Sequence, residues 1–400
     1  VKIFINAAHG LTHYSLLILP TAVLTIVARQ GGFGTDYGAV LKLATGGFIL
    51  YGLFSLPQGW LAARLGRHAL MAIFFFGTGA CLALTGMART PLTLGVALAG
   101  AGLFAAIYHP VGTALLVDVA GDKPGQAIGL NGVFGNVGVS TAPMVTAFLA
   151  IQFGWRWAFV IPGLALIALG LAWLRMPSVD GHRRAAGKPF PAIPRHLVRR
   201  AVIVLLVIAA VSGLVFNTFT ILIPELMRER LTDDPALVWL AGIAATLCGA
   251  LTQITVGRMI DRITLKRVFL PLALLLAPAL LALAFARGWV LVLVAGLVAV
   301  AVFGQVTVNE TMAARYICPE LRTRMYSIRF FVGFLGSAVA APMVSVLHDR
   351  TGNLESAIMV LACFAVAILL CALFFPDRRE ELHPELWALA AGQPTPAAAE

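Results

Sequence analysis

The sequence predicts an all-α integral membrane protein of twelve transmembrane helices, arranged as two pseudo-symmetric six-helix bundles. Composition, the length of the apolar blocks and an internal repeat predict it. Of the 400 residues, 60% are hydrophobic and only 12% are charged, against about 25% charged in a soluble domain. The mean hydropathy is +0.91. These values exclude an ordinary water-soluble enzyme and a disordered or disulfide-stapled chain. The apolar residues fall in blocks of about 20, the helical length needed to cross a hydrocarbon core about 30 Å thick. A barrel would show alternating strands of about ten residues instead.

The blocks lie at approximately 3–28, 40–62, 69–88, 92–117, 125–152, 155–174, 201–224, 236–257, 268–286, 289–314, 325–347 and 355–375. One long polar interval, 175–200, contains Pro177, Pro189, Pro191 and Pro194 and divides the blocks six and six. This gives a first bundle at 1–174, a linker at 175–200, a second bundle at 201–376 and a tail at 377–400, frayed beyond a short helical stretch around Leu386. The first block follows Lys2 and runs for a full span, so no cleavable signal is expected.

The net charge is +11. Because the basic residues lie between apolar blocks, they read as orientation signals, and nucleic acid is not expected as a partner. One set of loops holds Arg64, Arg67, Lys123, Arg258, Arg262, Lys266, Arg267, Arg322 and Arg324, and shares its side with the linker basics Arg175, Arg183, Arg184, Lys188, Arg195, Arg199 and Arg200. The opposite set holds Arg29, Arg89, Arg156 and Arg287 beside the acidic Asp233 and Asp234. This bias places both termini and the linker in the cytoplasm. The five cysteines (Cys81, Cys248, Cys318, Cys363 and Cys371) form no C-x-x-C pair and read as small buried apolar residues.

The halves repeat one another. Gly59-Trp60-Leu61-Ala62-Ala63-Arg64-Leu65-Gly66-Arg67-His68 follows the second block, and Gly257-Arg258-Met259-Ile260-Asp261-Arg262-Ile263-Thr264-Leu265-Lys266-Arg267 follows the eighth. Ala142-Pro143-Met144-Val145 in the fifth block matches Ala341-Pro342-Met343-Val344 in the eleventh. The first loop resembles the G-x-L-x-D-R-x-G-R-[RK] signature of the major facilitator superfamily, weakly repeated in the second loop, and the resemblance covers about residues 1–376. It implies the superfamily fold and a gating role for Gly59, Arg64, Gly66, Arg67, Gly257, Asp261 and Arg262. Glycines let helices approach closely, and the charges form ion pairs that lock one face shut. The first copy departs from the signature, with Ala63 at the acidic position that Asp261 keeps in the second, so the latch is expected to rest more on the second half.

Within the superfamily, Ala106-Ile107-Tyr108-His109-Pro110, followed by the glycines 129, 132, 135 and 138 and Ala142-Pro143, is similar to the fosmidomycin-resistance type of efflux carrier. That resemblance implies efflux. The G-x-x-x-G-P element of proton-coupled antiporters is present only loosely. The arginine that many drug antiporters carry in the fourth span aligns roughly with Val96.

The third, sixth, ninth and twelfth blocks have almost no polar side chains and read as lipid-facing. The first, fourth, seventh and tenth carry the strong hydrogen-bonding groups: Asn6, His9, Thr12, His13 and Tyr14; Tyr108, His109 and Thr113; Asn217 and Thr218; Gln305, Asn309 and Glu310. A period of three is expected of a central cavity lined by one helix from each three-helix unit. His9 and His13 share a face through i,i+4 spacing, with Asn6 on the same side. They bond to neighbouring helices, line the cavity, or ligate a transition metal, which would need further ligands, His109 being the only other histidine expected inside a span. His109 precedes Pro110, whose missing amide hydrogen bond loosens the helix, so it reads as a proton-linked switch or as a buried histidine on a carbonyl. Glu310 and Arg329 are the acidic and the basic residue expected inside a span; they pair across the tenth and eleventh spans, or Glu310 couples transport to protons.

The expected function is secondary active transport of a small organic solute by alternating access, as proton-coupled efflux. Uptake of an organic acid or metal chelate is the alternative, and a membrane metal or redox protein using the histidine pair is a more distant one. Substrate contacts are assigned to His9, His13, Tyr108, His109, Asn217, Gln305 and Asn309, and proton coupling to Glu310, His109 and Arg329. No nucleotide-binding loop or hydrolase motif occurs, so no catalytic residue, resident metal or cofactor is expected. The partners are the solute, protons and the bilayer of a bacterial inner membrane, with the chain as a monomer.

Overall fold

The computed structural model describes residues 1–28, 33, 36–178, 193–383 and 386–387, and every regular element among them is helical. Arg29, most of the expected linker (179–192) and the tail beyond Trp387 lie outside the described residues. The helices are α1 (Lys2–Ala28), α2 (Tyr37–Phe54), α3 (Arg67–Met87), α4 (Pro91–Ala120), α5 (Pro124–Gln152), α6 (Trp157–Trp173), α7 (Arg195–Arg230), α8 (Ala236–Ile260), α9 (Leu265–Phe285), α10 (Gly288–Tyr316), α11 (Pro319–Thr351) and α12 (Glu355–Phe374). Eleven are long and apolar enough to cross a membrane, and α6 is shorter at 17 residues. The order agrees with the sequence expectation, but α7 and α11 overrun their apolar blocks at both ends. Hydropathy registers the apolar part of a helix, and polar turns extend it without a signal.

Local chemistry sets several ends. Asp36 caps α2 by accepting from the Gly38 amide at 2.8 Å. Thr90 and Thr93 form a capping box ahead of α4, with Pro91 in its first turn. Asp234 caps α8 in the same way, accepting from the Ala236 amide at 3.0 Å. The second apolar block is not one helix: α2 is interrupted after Lys42, ends at Phe54 and resumes as Gln58–Leu65 once Pro57 is passed.

The chain forms two compact units. The first comprises Val1–Val119, Asn131–Gly187 and Thr323–Phe331, and the second Ala120–Leu130, Lys188–Arg322 and Val332–Glu400. Within the first, α3 packs along α4 and α6, and α2 along α4. Trp173 of α6 stacks on His68, ring centroids 4.8 Å apart, and donates its indole N–H to the His68 carbonyl at 3.0 Å. Within the second, α10 packs on α8, α9 and α7, and α12 on α9 and α7. Arg230 joins three of its helix ends, pairing with Glu355 at 2.7 Å and donating to the carbonyl of Ala284 at 2.8 Å.

Lipid is as apolar as leucine, so helices in a bilayer associate through close packing and polar contacts rather than water exclusion. Each unit contains a backbone-to-backbone helix crossing of that kind. A Cβ on Gly138 of α5 would lie 2.1 Å from the Gly10 carbonyl oxygen of α1. In the second unit, a Cβ on Gly213 of α7 would lie 2.2 Å from the Gly333 carbonyl oxygen of α11. The same crossing thus appears at equivalent places in the two halves of the sequence.

Candidate functional site

The first unit gathers its polar side chains at one place. His9 and His13 come from α1, Tyr108 and His109 from α4, and Asn131 from α5. In α4 the α-helical ladder gives way to a π-helical turn at Tyr108–Gly112. Pro110 removes an amide donor there, and wide turns of this type re-aim side chains. His109 therefore meets the α1 pair: its ring centroid is 5.2 Å from that of His9 and 5.3 Å from that of His13. Tyr108 stacks on His9 at 5.2 Å, and Phe330 lies 4.7 Å from His109.

Hydrogen bonds hold the cluster. The Asn131 carbonyl is 2.7 Å from His9 Nδ1. A carbonyl only accepts, so Nδ1 carries the proton and Nε2 presents its lone pair. His13 Nε2 is 3.2 Å from that nitrogen. The Asn131 side chain donates to Asn6 Oδ1 at 2.9 Å and to the Tyr108 hydroxyl at 3.0 Å. Space for His9 depends on Gly135, where a Cβ would lie 2.7 Å from the imidazole. His9, His109, Tyr108 and Asn131 are buried, while His13 is half-buried. One ligand nitrogen from each of the three histidines lies within 4.8 Å of the others.

In the second unit, Gln305, Asn309 and Glu310 are all buried on α10. Gln305 reaches the Leu272 carbonyl at 3.4 Å, and Asn309 Oδ1 has no hydrogen-bond partner among the described residues. Asn217 donates to Ser337 Oγ of α11 at 2.7 Å, so it ties α7 to α11. Arg329 belongs to the first unit, where its guanidinium lies 4.3 Å from the Phe330 ring centroid.

The two loop copies also differ. In the first, a Cβ on Gly59 would lie 2.4 Å from Arg324 Cα, Gly66 has φ 81°, and Arg67 pairs with Asp118 of α4 at 2.5 Å. Arg64 and Ala63 are exposed. In the second, a Cβ on Gly257 would lie 2.4 Å from the Gly125 carbonyl oxygen, and Asp261 accepts from the amides of Gly125 and Gln126 at 2.8 and 2.9 Å. Arg262 is exposed. Arg315 lies 4.0 Å from Asp261 and 3.5 Å from Glu381. Glu381 in turn accepts from the Leu265 amide at 2.5 Å and from the Tyr316 hydroxyl at 2.9 Å. Burial pushes the Glu381 carboxyl up to about 7.

Sequence reasoning did not single out Asn131, Arg315 or Glu381. A carboxamide in a glycine-rich apolar helix is a signal that could have found Asn131, although Asn136 gives the same signal five residues on. Arg322, just ahead of the eleventh apolar block, is buried like Arg329. In the tail, Glu381 and Trp387 are buried, with Trp387 6.3 Å from Tyr316, and the fraying expected beyond Leu386 falls outside the described residues.

A family model described as Major Facilitator Superfamily matches residues 7–232 and again 205–396. The "Uncharacterized MFS-type transporter YfnC" of Bacillus subtilis is 24% identical over 339 residues, 81% of each chain. The "Probable L-galactonate transporter" of Escherichia coli is 28% identical over 156 residues, 39% of this chain and 34% of that protein. The "Puromycin resistance protein pur8" of Streptomyces alboniger is 34% identical over 131 residues, 32% of this chain and 25% of that protein. The chain thus matches about a third of the L-galactonate relative's length and a quarter of the puromycin-resistance protein's. Among solved structures, the proton:xylose symporter XylE aligns with a TM-score of 0.75 at 15% identity, covering 96% of this chain and 98% of that one. The E. coli fucose:proton symporter FucP aligns at 0.71 and 15% identity, covering 94% and 98%. These likenesses show a shared fold.

Proposed function

The chain belongs to the Major Facilitator Superfamily, and from that premise we propose that it moves a small organic solute across the bacterial inner membrane by proton-coupled alternating access, in the efflux direction. The protein is a transporter and not an enzyme. The observation that carries the proton coupling is the network of His9, His13, His109, Tyr108 and Asn131. Polar groups buried in a membrane bundle carry a free-energy cost and are by default functional, and imidazole is a group that can take up and release a proton. In this reading His9, His13, Tyr108, His109, Asn217, Gln305 and Asn309 contact the solute, with Glu310 and Arg329 joining His109 in coupling. Gly59, Arg64, Gly66, Arg67, Gly257, Asp261 and Arg262 gate the cycle. Both termini lie in the cytoplasm and the working unit is the monomer.

Purified protein in proteoliposomes tests this, with solutes first chosen by thermal-shift screening of sugars, sugar acids and aminonucleosides. An imposed pH gradient should drive solute against the proton flow. Glu310→Gln and His109→Gln should each reduce that movement at least tenfold while leaving counterflow exchange measurable. Transport indifferent to the gradient, with Glu310→Gln fully active, rejects the coupling. The similarity to a protein named as an L-galactonate transporter favours a second reading, uptake of an organic acid. Solute accumulating in the same direction as proton flow would establish it.

A further inference from the structure

We propose that His9, His13 and His109 form a tri-imidazole binding site for a divalent late first-row transition ion such as Zn²⁺ or Co²⁺. A fourth position is left for water or for an oxygen of a chelating solute. The inference goes beyond proton-coupled transport and does not require it, because the site is defined by ligand geometry.

Three observations converge. The three ring nitrogens lie within 4.8 Å of one another. Imidazole nitrogens in a tetrahedral centre with bonds of about 2.0–2.1 Å sit about 3.3 Å apart, and His9 Nε2 and His13 Nε2 are already 3.2 Å apart. The Asn131 carbonyl fixes the His9 proton on Nδ1 at 2.7 Å. That is the arrangement in which a metal-bound histidine donates its outer N–H to a backbone carbonyl and turns the other nitrogen to the ion.

The third ligand has to close on the other two. His109 lies on the π-helical turn at Tyr108–Gly112, ahead of Pro110. Drawing its nitrogen in by roughly 1.5 Å is a side-chain adjustment on a loosened turn. His13 is the half-buried member of the three. His13 needs only to carry its proton on Nδ1 to offer Nε2, so all three rings bind in the neutral form that metals select. Three imidazoles with no thiolate or carboxylate in the set favour zinc, cobalt, nickel or copper over magnesium or calcium.

The test uses the full chain in detergent, purified without a polyhistidine tag, and titrated with Zn²⁺ and Co²⁺ by calorimetry and visible spectroscopy. The wild type should bind one ion per chain. X-ray absorption should give three imidazole nitrogens at about 2.0 Å, and the Co²⁺ form should show the intense bands of tetrahedral coordination. His13→Gln and His109→Gln should each weaken binding at least tenfold, whereas His348→Gln, exposed near the end of α11, should bind as the wild type does. Gly135→Ala, which crowds the His9 ring, should weaken binding without removing a ligand. No stoichiometric binding, affinity unchanged in both histidine variants, or a shell with fewer than three imidazoles overturns the site. Size-exclusion profiles identify any variant that has failed to fold. Binding is read without a gradient, so its failure leaves proton-coupled transport to its own assay.

Discussion

The α2–α3 and α8–α9 loops are two copies of one motif that have kept its shape and diverged in its charge. Both insert a glycine against a backbone: Gly59 against Arg324 and Gly257 against Gly125, each with 2.4 Å to the nearest atom of a hypothetical Cβ. Only the second retains the acid. Asp261 binds the amides of Gly125 and Gln126, which belong to the first turn of α5 and have no helical partners of their own. A carboxylate there satisfies both donors and sits at the positive end of the helix dipole. The first copy, with Ala63, holds its loop through Arg67 and Asp118 instead. Steric fit has thus been conserved across the repeat more tightly than electrostatics, because a methyl group at either glycine meets backbone that cannot move aside.

The largest effects should come from the shared element. Gly257→Val and Gly59→Val each force a side chain into backbone, and each should cost about 1–3 kcal/mol and reduce transport at least tenfold. Matched losses in thermal stability and flux support the symmetry, whereas a tolerated Gly59→Val breaks it. Asp261→Ala should cost about 1–2 kcal/mol, with Asp261→Asn in between. Ala63→Ser, on an exposed position, should stay within about 0.5 kcal/mol; an equal cost for the two would erase the electrostatic difference. A double-mutant cycle on Arg67 and Asp118 should return a coupling of about 1 kcal/mol.

The smallest effect concerns pH at the buried tail, which also borders the second loop. Docked Glu381 has its carboxyl raised from the usual 4.5 to about 7 by burial, with Asp377 adding to the rise and Arg315, the Leu265 amide and Tyr316 opposing it. The docked form therefore binds a proton that the free tail has released. Docking is strongest below pH 4.5, weakens as pH rises through about 7, and is flat above. Trp387 fluorescence and protease access to the tail should follow that curve in the wild type, and Glu381→Gln should flatten it.

Most of the fold was legible in the sequence because the bilayer imposes a length on every apolar run. The i,i+4 spacing likewise put His9 and His13 on one face. The convergence of His109 on that pair was not legible, since it depends on the offset between α1 and α4 and on the turn at Pro110. Asn131 escaped notice because its importance lies in a carbonyl as much as in a side chain, and backbone partners leave no mark on composition. Glu381 was hidden for the opposite reason: it sits in a polar tail, where the sequence gives no hint that its carboxylate is buried.

The wide turn in α4 has a consequence for the rest of that helix. One surplus residue within a turn shifts the phase of everything beyond it by about 100°. The stretch Thr113–Ala120 is therefore rotated relative to a straight continuation of Pro91–Ala105. Asp118 faces Arg67 and His109 faces α1 with that rotation built in between them. Deleting Val111 would restore a regular helix and swing Asp118 away from Arg67. The imidazole cluster and the first loop are thereby placed by a single irregularity, and a one-residue change in chain length would disturb both together.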